Sequence, residues 1–241
     1  MLLVFGPKHG LTLFKPVDPG RHVVRSLMML GMPLCYILSV RQQVPDTTMA
    51  LFWTAPVLIV VFTAMAKRET GGIRSYGAAI LAALGAIAIL VPHPHAVLGI
   101  ALPVGMATFF AVYVVMTSSM TRDSVPTRLF QSALWVFVSL TPVMPFVWRT
   151  PTIRGLISMT AVGLCGWVAL WMLDRAIERG VPAFFAPALA AQPVVEMLLK
   201  WAVLGKTPSP AAATGALIIA GAVGMAFRGR GPRNAPEAVA A

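Results

Sequence analysis

Apolar runs of about the length that crosses a bilayer, roughly 20 residues, fill most of this chain. Eight qualify: Val23–Val40, Asp46–Ala66, Ile73–Pro92, Ala96–Thr117, Thr127–Trp148, Gly155–Asp174, Pro182–Leu204 and Ser209–Phe227. Short segments rich in charges and turn formers join them, such as Arg41 to Pro45, Lys67 to Gly72 and Arg149 to Arg154. Backbone exposed to lipid must satisfy its own hydrogen bonds, so runs of this length are expected as helices. The expected fold is an all-α polytopic membrane protein with about eight transmembrane helices and an N-terminal remnant before them. Only 11% of the residues are charged and 58% are hydrophobic, whereas a soluble domain carries about a quarter charged residues. The net charge of +11 is scattered between apolar runs rather than gathered in a stripe, so no nucleic-acid partner is expected. Met1 to Phe5 is apolar but too short for the core of a signal peptide. Cys35 and Cys165 fall inside apolar runs and read as packing residues.

Eight crossings put both ends of the chain on one side. Fourteen of the 19 basic residues fall on that side and five on the other. The positive-inside rule then expects a multi-pass protein of the cell inner (plasma) membrane with both termini cytoplasmic. Trp148 and Trp201 fall near the expected outer ends, where amphipathic rings favour the interface.

The chain also repeats itself. Val44-Pro45 recurs as Val181-Pro182 and Pro56-Val57 as Pro193-Val194, both 137 residues apart. Gly77-Ala78 with Ala82 and Ala86 recurs as Gly215-Ala216 with Ala220 and Gly224, now 138 residues apart. Pro56 and Pro193 are separated by an odd number of crossings, so the two copies are expected to run in opposite directions. That is an inverted-topology repeat, the usual basis of alternating access. The boundaries read as 1–92 for the first repeat, 96–228 for the second and 229–241 for a cytoplasmic tail. The alanine and glycine stripes, with small residues every fourth position, suit close helix approach within the repeat pair or at a homodimer face.

The stretches TAPVLIVVFTAMAKRETGGIRSYGAAILAALGAIAILVP and APALAAQPVVEMLLKWAVLGKTPSPAAATGALIIAGAVGM resemble the EamA-type branch of the drug/metabolite transporter superfamily. Glu69 matches the acidic position at the helix end of the first half, with Arg68 where a glycine is usual. Gly205 matches in the second half, with Lys206 where an acid is common. The resemblance implies ten helices in two sets of five. The N-terminal stretch is similar to the end of the second helix, which implies that the first helix and much of the second are absent here.

Glu196 is the acid that falls well inside a span, where an ionised side chain is expensive and marks function by default. Gln192 lies one turn before it and Lys200 one turn after, on the same face. One reading is a polar stripe on a solute path, with Glu196 binding a cation or a proton. The other is a self-neutralising Glu196–Lys200 pair reaching toward the interface. Aromatic residues fall mid-span at Tyr36, Trp53, Phe109, Tyr113, Trp135, Trp167 and Trp171. Each reads either as packing or as the wall of a cavity for amphipathic solutes. The family resemblance favours a cavity role for all of these but Trp135. Prolines interrupt the helix hydrogen-bond ladder, and Pro56 and Pro193 are the expected hinges. Asp174, Arg175, Glu178 and Arg179 read as a mixed-charge group that caps a helix end and sets topology. His93 and His95 lack a third ligand nearby, so no metal is expected, and no other cofactor either.

No nucleotide-binding loop is present, and no cluster of acids with histidines suggests an enzyme. The expected function is a secondary transporter of a small metabolite or drug-like solute. The expected partners are that solute and the lipid bilayer. The alternative is a truncated, non-transporting membrane protein or assembly partner.

Overall fold

The computed structural model describes residues 13, 16–67, 72–90, 97–120, 122–178, 182–205 and 207–228. Residues 1–12, 14 and 15 of the N-terminal remnant, Arg68, Glu69, His93, His95, Arg179, Lys206 and the tail after Arg228 lie outside the described residues. Among the described residues eleven helices follow one another: α1 (Pro19–Val40), α2 (Pro45–Phe52), α3 (Ala55–Lys67), α4 (Gly72–Leu90), α5 (Val97–Ser119), α6 (Val125–Leu140), α7 (Met144–Val147), α8 (Ile153–Glu178), α9 (Pro182–Leu189), α10 (Gln192–Leu204) and α11 (Pro210–Arg228). No strand occurs among the described residues. Among the described residues seven spans are long and apolar enough to cross a membrane.

The sequence suggested eight. The difference is the fifth run, where α6 holds only 16 residues, about 24 Å at the helical rise. Ser124 starts it, its hydroxyl accepting from the Thr127 N–H at 3.4 Å. It stops where Pro142 has no N–H to continue the ladder, and the Val143 N–H turns back to the Leu140 carbonyl at 3.0 Å. Pro145 then opens the single turn α7.

Two other spans are interrupted, and they are interrupted alike. After α2 comes the turn Trp53-Thr54, and Pro56 is the second residue of α3. After α9 comes the turn Ala190-Ala191, and Pro193 is the second residue of α10. All four helix limits and both turns match at the 137-residue offset, and α4 and α11 match at 138. Each proline withholds one donor, and the chain answers with tighter bonds. The Thr54 N–H and hydroxyl both bond the Leu51 carbonyl, and the Ala191 N–H bonds the Ala188 carbonyl at 3.1 Å. Pro56 and Pro193 thus begin new helices rather than bend continuous ones. Both turns feed one buried cluster, in which Trp53 and Ala190 join Phe52, Met106 and Ile219.

The seam of the molecule is the pair α4 and α11. A Cβ on Gly215 would come within 2.5 Å of the Gly85 carbonyl oxygen, so only glycine lets these backbones approach. Gly77 faces Met225 at one end of the pair, and Gly215 faces Ile89 at the other. The two helices therefore run antiparallel. Ala78, Ala82 and Ala86 are fully buried. The corresponding Ala216, Ala220 and Gly224 are not; Gly215, Ile219 and Ala222 turn inward on α11 in their place.

Helix α8 is the odd member. Its residues 156–166 are all exposed. It touches the bundle chiefly through α5, α6 and α9, and its best-buried residues, Asp174 and Ile177, are near its C-terminus.

Candidate functional site

That C-terminal attachment is ionic. Arg25 on α1 has no exposed surface, and all five of its N–H groups are used. Nε donates to Thr117 Oγ1 at 2.7 Å. Nη1 donates to the Arg128 carbonyl at 2.9 Å and to Ser132 Oγ at 2.7 Å. Nη2 donates to Tyr113 Oη at 2.7 Å and to Asp174 Oδ2 at 3.0 Å. The guanidinium carbon also lies 4.5 Å from the Tyr113 ring centre. Arg128 on α6 approaches Asp174 Oδ2 at 3.4 Å and donates to Glu178 Oε1 at 2.8 Å. Beside this cluster, His22 Nε2 lies 3.1 Å from Asp123 Oδ2. Four helices, α1, α5, α6 and α8, are thereby tied at one end. Two buried arginines face two carboxylates, so the charges offset one another, as charges buried in a membrane protein must.

Above this knot lies a cavity of 610 Å³ lined by Met29 of α1, by Leu129, Ser132, Ala133 and Val136 of α6, and by Thr160, Gly163, Gly166, Trp167 and Leu170 of α8. Met29, Ser132 and Gly163 each fall close to the middle of their helices. Its wall residue Ser132 accepts from Arg25 and so connects the cavity to the knot, and the cavity opens along the exposed half of α8. Its volume falls in the range of small-molecule sites.

The residues singled out from the sequence do not gather in one place. Trp167 lines the cavity. Tyr113 belongs to the knot below it. Trp171 lies with its ring centre 5.7 Å from the Arg175 guanidinium. Tyr36 and Trp53 pack in the core near the first helix break, Trp53 edge-on to Phe52 with ring centres 5.0 Å apart. Gln192 is exposed on α10. Glu196 and Lys200 line a separate pocket of 150 Å³ at the opposite end from the knot. There Lys200 Nζ lies 2.9 Å from Glu196 Oε1 and 3.6 Å from Asp46 Oδ1 on α2. All three side chains are partly exposed, and the arrangement is that of a paired lysine rather than of an isolated carboxylate. Among the described residues no group of three His, Cys, Asp or Glu is placed to hold a metal.

Asp174 requires a correction: it is no part of a helix-end cap but is fully buried between two arginines, whereas Glu178, the last residue of α8, stays partly exposed and pairs with Arg128 and Arg175. Arg25 and Arg128 looked like topology signals because each sits near the end of an apolar run. The available clue was that Asp174 directly follows Trp-Met-Leu within a long apolar run and needs a buried cation as partner.

No family model matches the chain. A riboflavin transporter from Vibrio cholerae is 25% identical over 208 residues, covering 83% of this chain and 68% of that protein. A solved crystal structure of a protein aligns with a TM-score of 0.78 at 21% identity, covering 94% of this chain and 82% of that one. The chain is a multi-pass membrane protein distantly related to a transporter of a small solute.

Proposed function

We propose that this chain is a secondary carrier that moves a small solute across the cell inner membrane by alternating access, as the resemblance to drug/metabolite transporters implies. The observation that carries this reading is the 610 Å³ cavity at mid-helix depth, whose wall residue Ser132 is bonded to Arg25 of the Arg25–Asp174 knot. Carriers bind solute near the midplane between helices that rock about it. In this reading the knot is the closed gate. Breaking its bonds lets the C-terminal end of α8 part from α1 and α6, while the other end closes.

The matched interruptions of α2–α3 and α9–α10, and the antiparallel seam of α4 and α11, support an inverted repeat as the moving scaffold. The turns at Trp53 and Ala190 are its pivots. The split of basic residues, fourteen against five, supports a cytoplasmic knot and cytoplasmic termini.

Riboflavin is the first solute to try, because the related transporter carries that name. Purified protein in proteoliposomes should take up riboflavin above protein-free vesicles, and excess unlabelled riboflavin should suppress the labelled flux. Uptake equal to that of empty vesicles, for riboflavin and for a panel of other uncharged metabolites, defeats the carrier reading.

A further inference from the structure

We infer that the cavity between α1, α6 and α8 is a site for an uncharged, planar ring compound that stacks on Trp167 and presents a hydrogen-bond acceptor to Ser132. The inference rests on the carrier reading for its place in transport, but not for its binding chemistry.

Ser132 is the decisive residue. It is 3% exposed and lines the cavity. Its oxygen accepts from Arg25 Nη1 at 2.7 Å, and among the described residues its own proton has no acceptor. A hydroxyl that already accepts a charge-assisted bond is a stronger donor. The ligand that completes it carries an acceptor such as a ring carbonyl. Thr160, the other hydroxyl on the wall, already donates to the Leu156 carbonyl at 2.8 Å. Ser132 is therefore the wall hydroxyl whose proton is left over among the described residues, and the lining around it is predominantly apolar.

Charge is excluded for a physical reason. Arg25 stands one hydrogen bond behind the wall, with all five donors engaged. No ionised side chain lines the cavity, so an anionic or cationic solute would lose its hydration shell without replacement. Shape follows from α8. Gly163 is one helical turn before Trp167, on the same face. A Cβ at Gly163 or at Gly166 would meet nothing within 4 Å. The glycines leave a flat shelf beside the indole, on which a ring can lie.

The test measures equilibrium binding to the full chain in nanodiscs. The probes are riboflavin, which is neutral and has ring carbonyls, and riboflavin phosphate, which has the same ring and a charged tail. The wild type should bind the neutral form at least about tenfold more tightly than the phosphate. Gly163→Phe fills open space, so it should abolish binding without lowering the melting temperature. Ser132→Ala should weaken binding about 3- to 10-fold, the loss of one hydrogen bond, and Ser132→Thr should restore it. If Ser132→Ala fails to fold because Arg25 loses an acceptor, Gly163→Phe and Gly166→Phe carry the test alone. No binding of the neutral form, equal binding of the phosphate, or full binding by Gly163→Phe overturns the inference. So does a cavity held by lipid chains that riboflavin does not displace. Flux that survives Gly163→Phe removes this site and leaves the carrier reading. Binding that is lost in Gly163→Phe, with no flux in the wild type, keeps the site and removes the carrier.

Discussion

The protein carries two ionic clusters, one at each end, and they are built to different rules. The knot of Arg25, Arg128, Asp174 and Glu178 draws on α1, α6 and α8, and its three innermost members are at most 1% exposed. The trio of Asp46, Glu196 and Lys200 joins α2 to α10, with side chains 38–60% exposed. Among Arg25, Arg128 and Asp174 every contact is made in low dielectric, and removing one partner strands a charge that cannot be hydrated. In the trio each group is already partly exposed, so losing a partner strands no buried charge. Similar side chains thus act as a structural tie in one place and a weak surface contact in the other.

The largest expected effect is at the centre of the knot. Asp174→Ala leaves two buried guanidinium groups without their shared carboxylate, which should cost about 3–5 kcal/mol. Thermal unfolding in detergent measures it. Glu178→Gln, at the 30% exposed edge of the same cluster, should cost clearly less. Equal losses for the two variants would mean that burial does not grade the knot.

Tyr113→Phe comes next. It removes the hydroxyl that accepts from Arg25 Nη2 but leaves the ring beneath the guanidinium. A hydrogen bond to a charged group is worth about 1.5–3 kcal/mol, and the variant should melt accordingly lower. The same variant also separates Tyr113 from the cavity. If Tyr113 contacts solute, binding falls in step with the lost hydroxyl; if it acts only in the knot, stability falls and binding does not.

Sequence legibility follows the same divide. The spans were legible because bilayer thickness imposes a length, and the breaks at Pro56 and Pro193 because proline acts on its own helix. The Glu196–Lys200 pair was legible because its members are one turn apart. The knot was not, since Arg25 and Asp174 are 149 residues apart and nothing local marks them as partners. Ser132 was hidden more deeply. A serine on a helix is ordinary until its neighbour across the bundle takes its lone pair and leaves its proton to spare. The sixteen-residue length of α6 was obscured because a hydropathy run continues through Pro142 and Pro145 although the helix cannot.

The trio provides the smallest effects and the sharpest contrast. Lys200→Ala and Glu196→Gln should each change stability by less than about 1 kcal/mol, because the ion pairs they remove are partly exposed. Raising the salt concentration should shrink even that difference, since the Debye length falls to about 3 Å at 1 M, while the cost of Asp174→Ala should stay nearly constant. Melting temperatures for the three variants, taken at low and high salt, check both statements together. A loss at Lys200 as large and as salt-insensitive as that at Asp174 would mean that Asp46, Glu196 and Lys200 are shielded from water in the membrane. The opposite end would then be a second tie of the same kind, and the asymmetry that assigns the gate to the knot would disappear.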